Sequence, residues 1–224
     1  MLHDAIAYTS HVNGASTPAD GAEIDHRIAN NLSLIAGLVR LRAGGVETVA
    51  ALSGEAAAAL LREAAAQIDA VARLHRLLSA QPGEGPVDMG LFLAGLCPAL
   101  EAAVGAAANT TVTYACAHGA AAARDRILPL GIIVTEAVMN AAKYAHPAGV
   151  AGTVRIACAH GADGGLDLTV DDDGVGFPVG FDPARDGGLG LRVIRALARQ
   201  IGAACVFTSG GLGARVTLAL PATT

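Results

Sequence analysis

The most informative segments of this sequence are DDGVGF at residues 172–177 and, after a short gap, GLGL at residues 188–191. The first segment places the carboxylate of Asp172 beside two glycine turns, and a carboxylate accepts a hydrogen bond from the amino group of a base. The second segment opens a helix with Gly188 and Gly190, and the amides and dipole of a helix N-terminus favour phosphate. Together the two segments predict a nucleotide pocket in the second half of the chain.

Two further features belong to this glycine-rich region. Gly174 and Gly176 are expected to let the backbone turn closely beneath the base, because glycine adopts conformations that other residues avoid. Residues 178–187, which contain Pro183, have the composition of a mobile lid. Arg185 within that lid is a candidate contact for phosphate.

A polar face on an apolar helix precedes the pocket. Glu136, Asn140 and Lys143 are spaced four and three residues apart, which places them on one side of a helix. An amide oxygen can ligate Mg²⁺ and a lysine can meet phosphate as a point charge. The alternative interpretation is the solvated face of an ordinary amphipathic helix.

A histidine near the start of the chain is predicted to lie on the solvent-facing side of a helix. The apolar stripe of a predicted helix over residues 20–43 includes Ile24 and Ile28, and His26 lies about 200° around the helix from both. Its imidazole therefore points toward solvent, with Asn30 one turn further on the same face. Such a ring can accept a phosphoryl group that the amide orients, whereas the alternative is a surface histidine with a polar neighbour.

Composition limits the possible functions. The 224 residues carry a net charge of −5 without a long basic run, so a nucleic-acid partner is not expected. Neither a membrane-spanning helix nor an export signal is expected, which favours a cytoplasmic protein. The four cysteines form no CxxC pair, so disulfide or metal use is disfavoured.

The chain divides by pattern into four parts. Residues 1–20 are predicted to be a tail, 21–80 a helical hairpin, 81–86 a linker rich in Pro and Gly, and 87–221 a second domain. The second hairpin helix, predicted over 55–79, carries apolar residues at coiled-coil spacing. Because each hairpin helix has only one apolar stripe, we expect a homodimer that forms a four-helix bundle.

The fold class is therefore α+β, with a helical hairpin followed by an α/β sandwich. Gly-rich turns between predicted strands favour antiparallel pairs in one mixed sheet with helices on one face. In the second domain we predict helices over residues 89–107, 127–144 and 189–201, and strands near residues 112–117, 154–159, 166–170, 205–208 and 215–220.

The order of these motifs resembles a known family. The histidine segment reads HRIANNL at residues 26–32, and the second hairpin helix contains ARLHRLL at residues 72–78. With the polar helix and the two glycine segments, the sequence resembles the sensor histidine kinases that carry a GHKL (Bergerat-fold) ATPase domain. It is most similar to the HWE-related subclass, and the resemblance covers residues 22–221.

The resemblance implies a role for each candidate residue, and ATP and Mg²⁺ as cofactors. His26 would be the phosphoacceptor, with Asn30 and Glu136 as further catalytic residues. Asn140 would ligate Mg²⁺ and Lys143 would contact phosphate. Asp172 would bind the adenine. The four glycines of the two segments would shape its pocket, and these are Gly174, Gly176, Gly188 and Gly190.

The implied function is autophosphorylation of His26 from ATP, followed by transfer to an aspartate of a response-regulator receiver domain. Because the segment before residue 23 is short, we expect either that the signal comes from a separate sensor protein or that there is no signal input. One alternative is a histidine phosphotransfer protein that relays phosphate without using ATP. Another is a GHKL protein that acts as a clamp ATPase or as a serine kinase.

Overall fold

The structure is a computed structural model that describes residues 85–222 except 148, 162 and 211, together with residues 37, 54, 72–74, 76 and 78. The chain forms two compact units, Met1–Leu38 and Val39–Thr224, and every described residue except Gly37 belongs to the second. Most of the predicted hairpin, including His26 and Asn30, lies outside the described residues. The predicted boundaries of the four parts of the chain stay a prediction.

The second unit alternates helices and strands. In the described part of the chain the elements occur in the order β1 (Val87–Asp88), α1 (Met89–Ala108), β2 (Thr110–Cys116), β3 (Ala121–Ala122), α2 (Arg124–Tyr144), β4 (Gly152–His160), β5 (Leu166–Asp172), α3 (Leu189–Gln200), β6 (Ala204–Gly210) and β7 (Gly213–Leu220).

Five of these strands form one mixed sheet in the order β2-β4-β5-β7-β6. Strands β2 and β4 run parallel, and every other neighbouring pair is antiparallel. Strands β1 and β3 form a separate two-stranded antiparallel pair. The predicted fold class, with a mixed sheet and helices on one face, is confirmed.

The core lies between the sheet and the helices because alternate strand residues face one side. On β4, Val154 and Ile156 are each 1% exposed, while Arg155 between them is exposed. Helix α2 supplies the opposite side of this core with Ile133 and Val138, which are fully buried. Burial of each such side chain stabilises the fold by about 1.5–3 kcal/mol.

Helix α2 is 21 residues long and largely apolar. By length and composition it meets the criteria for a membrane span, but 67% of its most apolar window is buried inside the fold. That burial is typical of the central helix of a globular domain. The buried residues adjoin the polar face predicted from the sequence, so the helix holds both the core and the site.

The boundaries differ from the prediction in three places that matter. Helix α2 begins at Arg124 rather than at residue 127, because its first turn is polar and contains Asp125, a favourable charge at a helix N-terminus. Strand β5 extends to Asp172, which is its last residue rather than the residue that follows it. The two-residue strands β1 and β3 were not predicted.

Candidate nucleotide-binding site

The turn after β5 is held by the side chain of Asp172. Its Oδ1 accepts hydrogen bonds from the backbone N–H of Gly174 at 3.0 Å and of Ala214 at 3.2 Å. One oxygen therefore fixes both the turn and the start of the neighbouring strand β7. The second oxygen, Oδ2, receives no hydrogen bond from the residues that the structure describes, so it is available to a ligand.

Glycines in this turn allow backbone segments to approach closely. A Cβ added to Gly174 would clash with the carbonyl oxygen of Ala145, at the C-terminal end of α2. Gly176 has a φ of +71°, and a Cβ there would clash with the hydroxyl of Ser209. The backbone N–H of Val175 also donates to the Ala145 oxygen at 2.9 Å. These glycines therefore allow close packing of the turn, whereas their predicted role in shaping a nucleotide pocket stays a prediction.

The polar face of α2 lines a cavity of about 630 Å³. Glu136 is buried, with 8% of its surface exposed, whereas Asn140 is half-buried and Lys143 is exposed. The volume lies within the usual range for small-molecule sites. All three predicted residues of this helix therefore meet at one site.

The start of α3 closes the same cavity. Gly188 is the N-cap residue and provides no side-chain hydrogen bond, so no cap side chain satisfies the first backbone N–H groups of the helix. A Cβ added to Gly190 would lie 3.0 Å from the Asn140 side chain and 3.0 Å from Glu136 Oε2. A side chain at residue 190 would therefore crowd Asn140 and Glu136, and the open backbone N–H groups at the start of α3 favour an anion there.

A smaller cavity of about 70 Å³ contains Asp172. It shares lining residues with the larger cavity, and these are Asn140, Tyr144, Gly176, Phe177 and Leu191. The two cavities therefore adjoin along the C-terminal half of α2. A base beside Asp172 would continue directly into the larger cavity through its sugar and phosphates.

The predicted lid has its own internal structure. Arg185 forms an ion pair with Asp186, with an Nε–Oδ1 distance of 2.9 Å, and it does not line either cavity. This hydrogen bond lowers the pKa of the Asp186 carboxyl. Arg195 of α3 donates to the carbonyl oxygen of Ala184 at 2.6 Å and ties the segment to that helix. The phosphate contact predicted for Arg185 stays a prediction.

Several residues that stabilise the site were not identified from the sequence. Asp173 Oδ1 accepts from the backbone N–H of Thr153 at 2.8 Å and lies 2.9 Å from His146 Nε2. The first of these hydrogen bonds, followed by that of His146, lowers the pKa of Asp173. The hydroxyl of Ser209 accepts from the N–H of Phe177 at 2.7 Å. The only sequence signal was the doubled acid at residues 172–173.

The cysteines play no part in this site. All four are free thiols, and burial raises the pKa of Cys97 and of Cys205 to about 11, so both stay protonated at neutral pH. Within the described ranges there is no group of three or more His, Cys, Asp or Glu side chains that could hold a metal ion.

Two family models match the chain. Residues 23–104 match a model described as histidine kinase, and residues 97–220 match one described as a histidine kinase-like ATPase domain. The second match covers more than half of the chain. The predicted resemblance to HWE-related sensor kinases is confirmed by these matches, and the ATPase domain implies use of ATP.

Two curated proteins illustrate the similarity. The chain is 27% identical over 208 residues to Blue-light-activated histidine kinase 2 of Erythrobacter litoralis (strain HTCC2594), covering 89% of this chain and 56% of that protein. It is 31% identical over 176 residues to Sensor histidine kinase PdtaS of Mycobacterium tuberculosis, covering 78% of this chain and 33% of that protein. The chain thus spans between one third and just over half of the length of these relatives.

A solved structure shows the same fold. The Erythrobacter litoralis EL346 blue-light activated histidine kinase superposes with a TM-score of 0.68 at 24% identity, covering 93% of this chain and 61% of that chain. At this level of identity the likeness concerns the fold alone. Taken with the two family models, it leads to one conclusion: the chain belongs to the histidine kinase family and carries the ATPase domain of that family in its C-terminal half.

Proposed function

We propose that this protein is an ATP-dependent protein-histidine kinase that phosphorylates its own His26 and passes the phosphoryl group to an aspartate of a receiver domain. The observation that carries the proposal is that Glu136, Asn140 and Gly190 line one cavity, which adjoins the smaller cavity that contains Asp172. Such a site offers one end to a base and the other to phosphates.

The residues present fit an adenine nucleotide. Asp172 Oδ2 accepts a hydrogen bond from the adenine amino group, while Oδ1 keeps the turn in place. Backbone N–H groups at the start of α3 and the ammonium group of Lys143 bind the phosphates. Gly176 and Gly190 line the same cavity, and a Cβ at either position would meet neighbouring protein atoms, so glycine keeps this backbone close to its neighbours.

Magnesium fits the same site in a limited way. Mg²⁺ prefers oxygen ligands and is often bound by one or two protein groups together with substrate phosphates. The amide oxygen of Asn140 supplies one such ligand, and we assign the buried carboxylate of Glu136 a catalytic role beside it. When bound, the ion neutralises charge on the phosphates.

The reaction is phosphoryl transfer in two steps. ATP supplies the γ-phosphoryl group, and a ring nitrogen of His26 forms a bond to its phosphorus as the bond to the β–γ bridging oxygen breaks. ADP leaves with that oxygen. The attacking nitrogen is the one that carries no proton, and the proton on the other ring nitrogen is lost to a base. In the second step a receiver aspartate oxygen bonds to the phosphorus as the N–P bond breaks, and the ring takes up a proton to restore the neutral imidazole. Positioning and charge neutralisation supply most of the catalysis in such reactions.

The role of Asn30, the oligomeric state, the compartment and the protein partner are part of the same proposal. Asn30, one helical turn from His26, orients the phosphoryl group or an attacking water. The kinase works as a homodimer in the cytoplasm, and its protein partner is the receiver domain of a response regulator.

The experiment is incubation of the purified chain with γ-³²P-labelled ATP. We expect acid-labile label on the wild type and on His118→Ala, which replaces an exposed loop histidine, and no label on His26→Ala. Label retained by His26→Ala would rule out the phosphoacceptor, and acid-stable label would indicate a serine kinase. A chain labelled by a phosphorylated receiver but not by ATP would be a relay protein.

A further inference from the structure

An arginine from the predicted second hairpin helix lines the larger cavity. Arg73 is exposed, and it and Lys143 are the two cationic residues among the described residues that line the cavity. Within the described part of the chain, no hydrogen bond or ion pair engages the Arg73 guanidinium. Arg73 lies outside the segment matched by the ATPase model, which begins at residue 97. The cavity is therefore completed by a residue from another part of the chain.

The neighbouring residue anchors Arg73 in place. Leu74 is fully buried, and its methyl carbons would lie 2.5 and 2.8 Å from a Cβ added to Gly131 of α2. The ring of Phe92 on α1 would lie 3.0 Å from the same point. The missing side chain at Gly131 thus makes room for Leu74. Leu78 lies one turn after Leu74, and its carbonyl oxygen accepts a hydrogen bond from Arg124 at 3.2 Å. This hydrogen bond attaches the segment at a second point.

The order of contacts along α2 locates Arg73 relative to the phosphates. The residues of α2 and its C-cap that line the small cavity with Asp172 run from Ala137 to Ala145, and the start of α3 lies beside Glu136 and Asn140. Leu74 packs at Gly131, which is nine residues, or about 13 Å, before Asn140. Leu74 therefore packs on α2 before the residues that line either the phosphate site or the small cavity. Arg73, its neighbour in the chain, lines the larger cavity but not the small cavity that contains Asp172.

From this order we propose that Arg73 contacts the terminal phosphate of the bound nucleotide. The inference rests on the proposed function, because it requires adenine beside Asp172. A guanidinium stays charged at all relevant pH values and matches the geometry of phosphate oxygens. Charge on the transferred phosphoryl group is stabilised by such a contact in other phosphoryl-transfer enzymes. Arg73 would also couple the presence of the terminal phosphate to the position of the hairpin helix that carries it.

The test compares two nucleotides that differ by one phosphate. Binding of a non-hydrolysable ATP analogue and of ADP, each with Mg²⁺, is measured by calorimetry for the wild type, Arg73→Gln, Arg73→Lys and Arg76→Gln. Arg76 is exposed in the same segment and does not line the cavity, so it is the matched control. Thermal melting of each variant without nucleotide reports whether the fold is retained.

We expect Arg73→Gln to weaken binding of the ATP analogue about ten-fold, while ADP affinity changes less than about two-fold. Arg73→Lys should recover part of the loss because it keeps the charge, and Arg76→Gln should match the wild type. Equal losses for both nucleotides, or no loss for either, would overturn the assignment of Arg73. A wild-type chain that binds neither nucleotide would instead overturn the proposed function, so the two failures are distinguishable.

Discussion

Replacing Asp172 by Asn separates the two tasks of this carboxylate. The amide oxygen of Asn can still accept from the N–H groups of Gly174 and Ala214, so the turn and the start of β7 are retained. The amide nitrogen then occupies the position of Oδ2 and presents a donor to the adenine amino group, which is also a donor. The substitution therefore removes the contact to the base with little change in the protein's own hydrogen bonds.

The expected loss follows from one charged hydrogen bond. Such a bond contributes about 1.5–3 kcal/mol, which corresponds to a rise in the Kd for ATP of roughly 10- to 150-fold. Guanine carries a carbonyl oxygen where adenine carries its amino group. The preference of Asp172→Asn for ATP over GTP should therefore shrink or reverse, whereas a general weakening of the site would lower both affinities together.

The assay is displacement of a fluorescent nucleotide by ATP and by GTP, with thermal melting as a check on the fold. Asp167→Asn is the matched control, because Asp167 lies on the same strand and lines neither cavity. An Asp172→Asn variant that melts like the wild type and binds ATP within two-fold of it would refute the reasoning. Asp172→Ala is a poorer test, since it also leaves two backbone N–H groups without an acceptor.

Gly190→Ala should raise the Kd for ATP about five-fold, as measured by calorimetry. The added Cβ would lie 3.0 Å from Asn140, and such overpacking costs about 1 kcal/mol or more. Leu74→Ala should lower the free energy of unfolding in urea by about 3 kcal/mol, as Leu74 is fully buried. The folded pKa of Asp173 lies below its ordinary 3.8, so its carboxylate stabilises the fold above pH 3.8. That contribution is lost as the pH falls below 3.8 and through the folded pKa. The difference in Tm between the wild type and Asp173→Asn should therefore vanish at low pH.

Local patterns were sufficient to predict most of the second unit. The apolar residues of α2 recur at helical spacing, and the same spacing leaves Glu136, Asn140 and Lys143 on one face, where the structure has them. Glycines at residues 174, 176, 188 and 190 indicated close approach of the backbone, and three of them would clash with or crowd a neighbour if they carried a Cβ. These features are encoded within a few residues, so the sequence alone reveals them.

Long-range contacts could not be predicted in this way. The hydrogen bond from Ala214 to Asp172 joins residues 42 positions apart, and the contact between Ser209 and Phe177 spans 32. The spacing of apolar residues along the chain does not indicate which turn contacts which strand. Strand β1 has two residues, too few for an alternating pattern to be recognised. Arg73 was not identified for the same reason, because its place in the cavity depends on how Leu74 packs against Gly131.

The central claim is that one cavity binds the adenine at Asp172 and the phosphates at the start of α3. Calorimetric titration of the wild-type chain with magnesium and ATP tests it most directly. The account predicts saturable binding of about one nucleotide per chain, and in the same titration Asp172→Asn should bind far more weakly. Absence of binding by the folded wild-type chain would contradict the account.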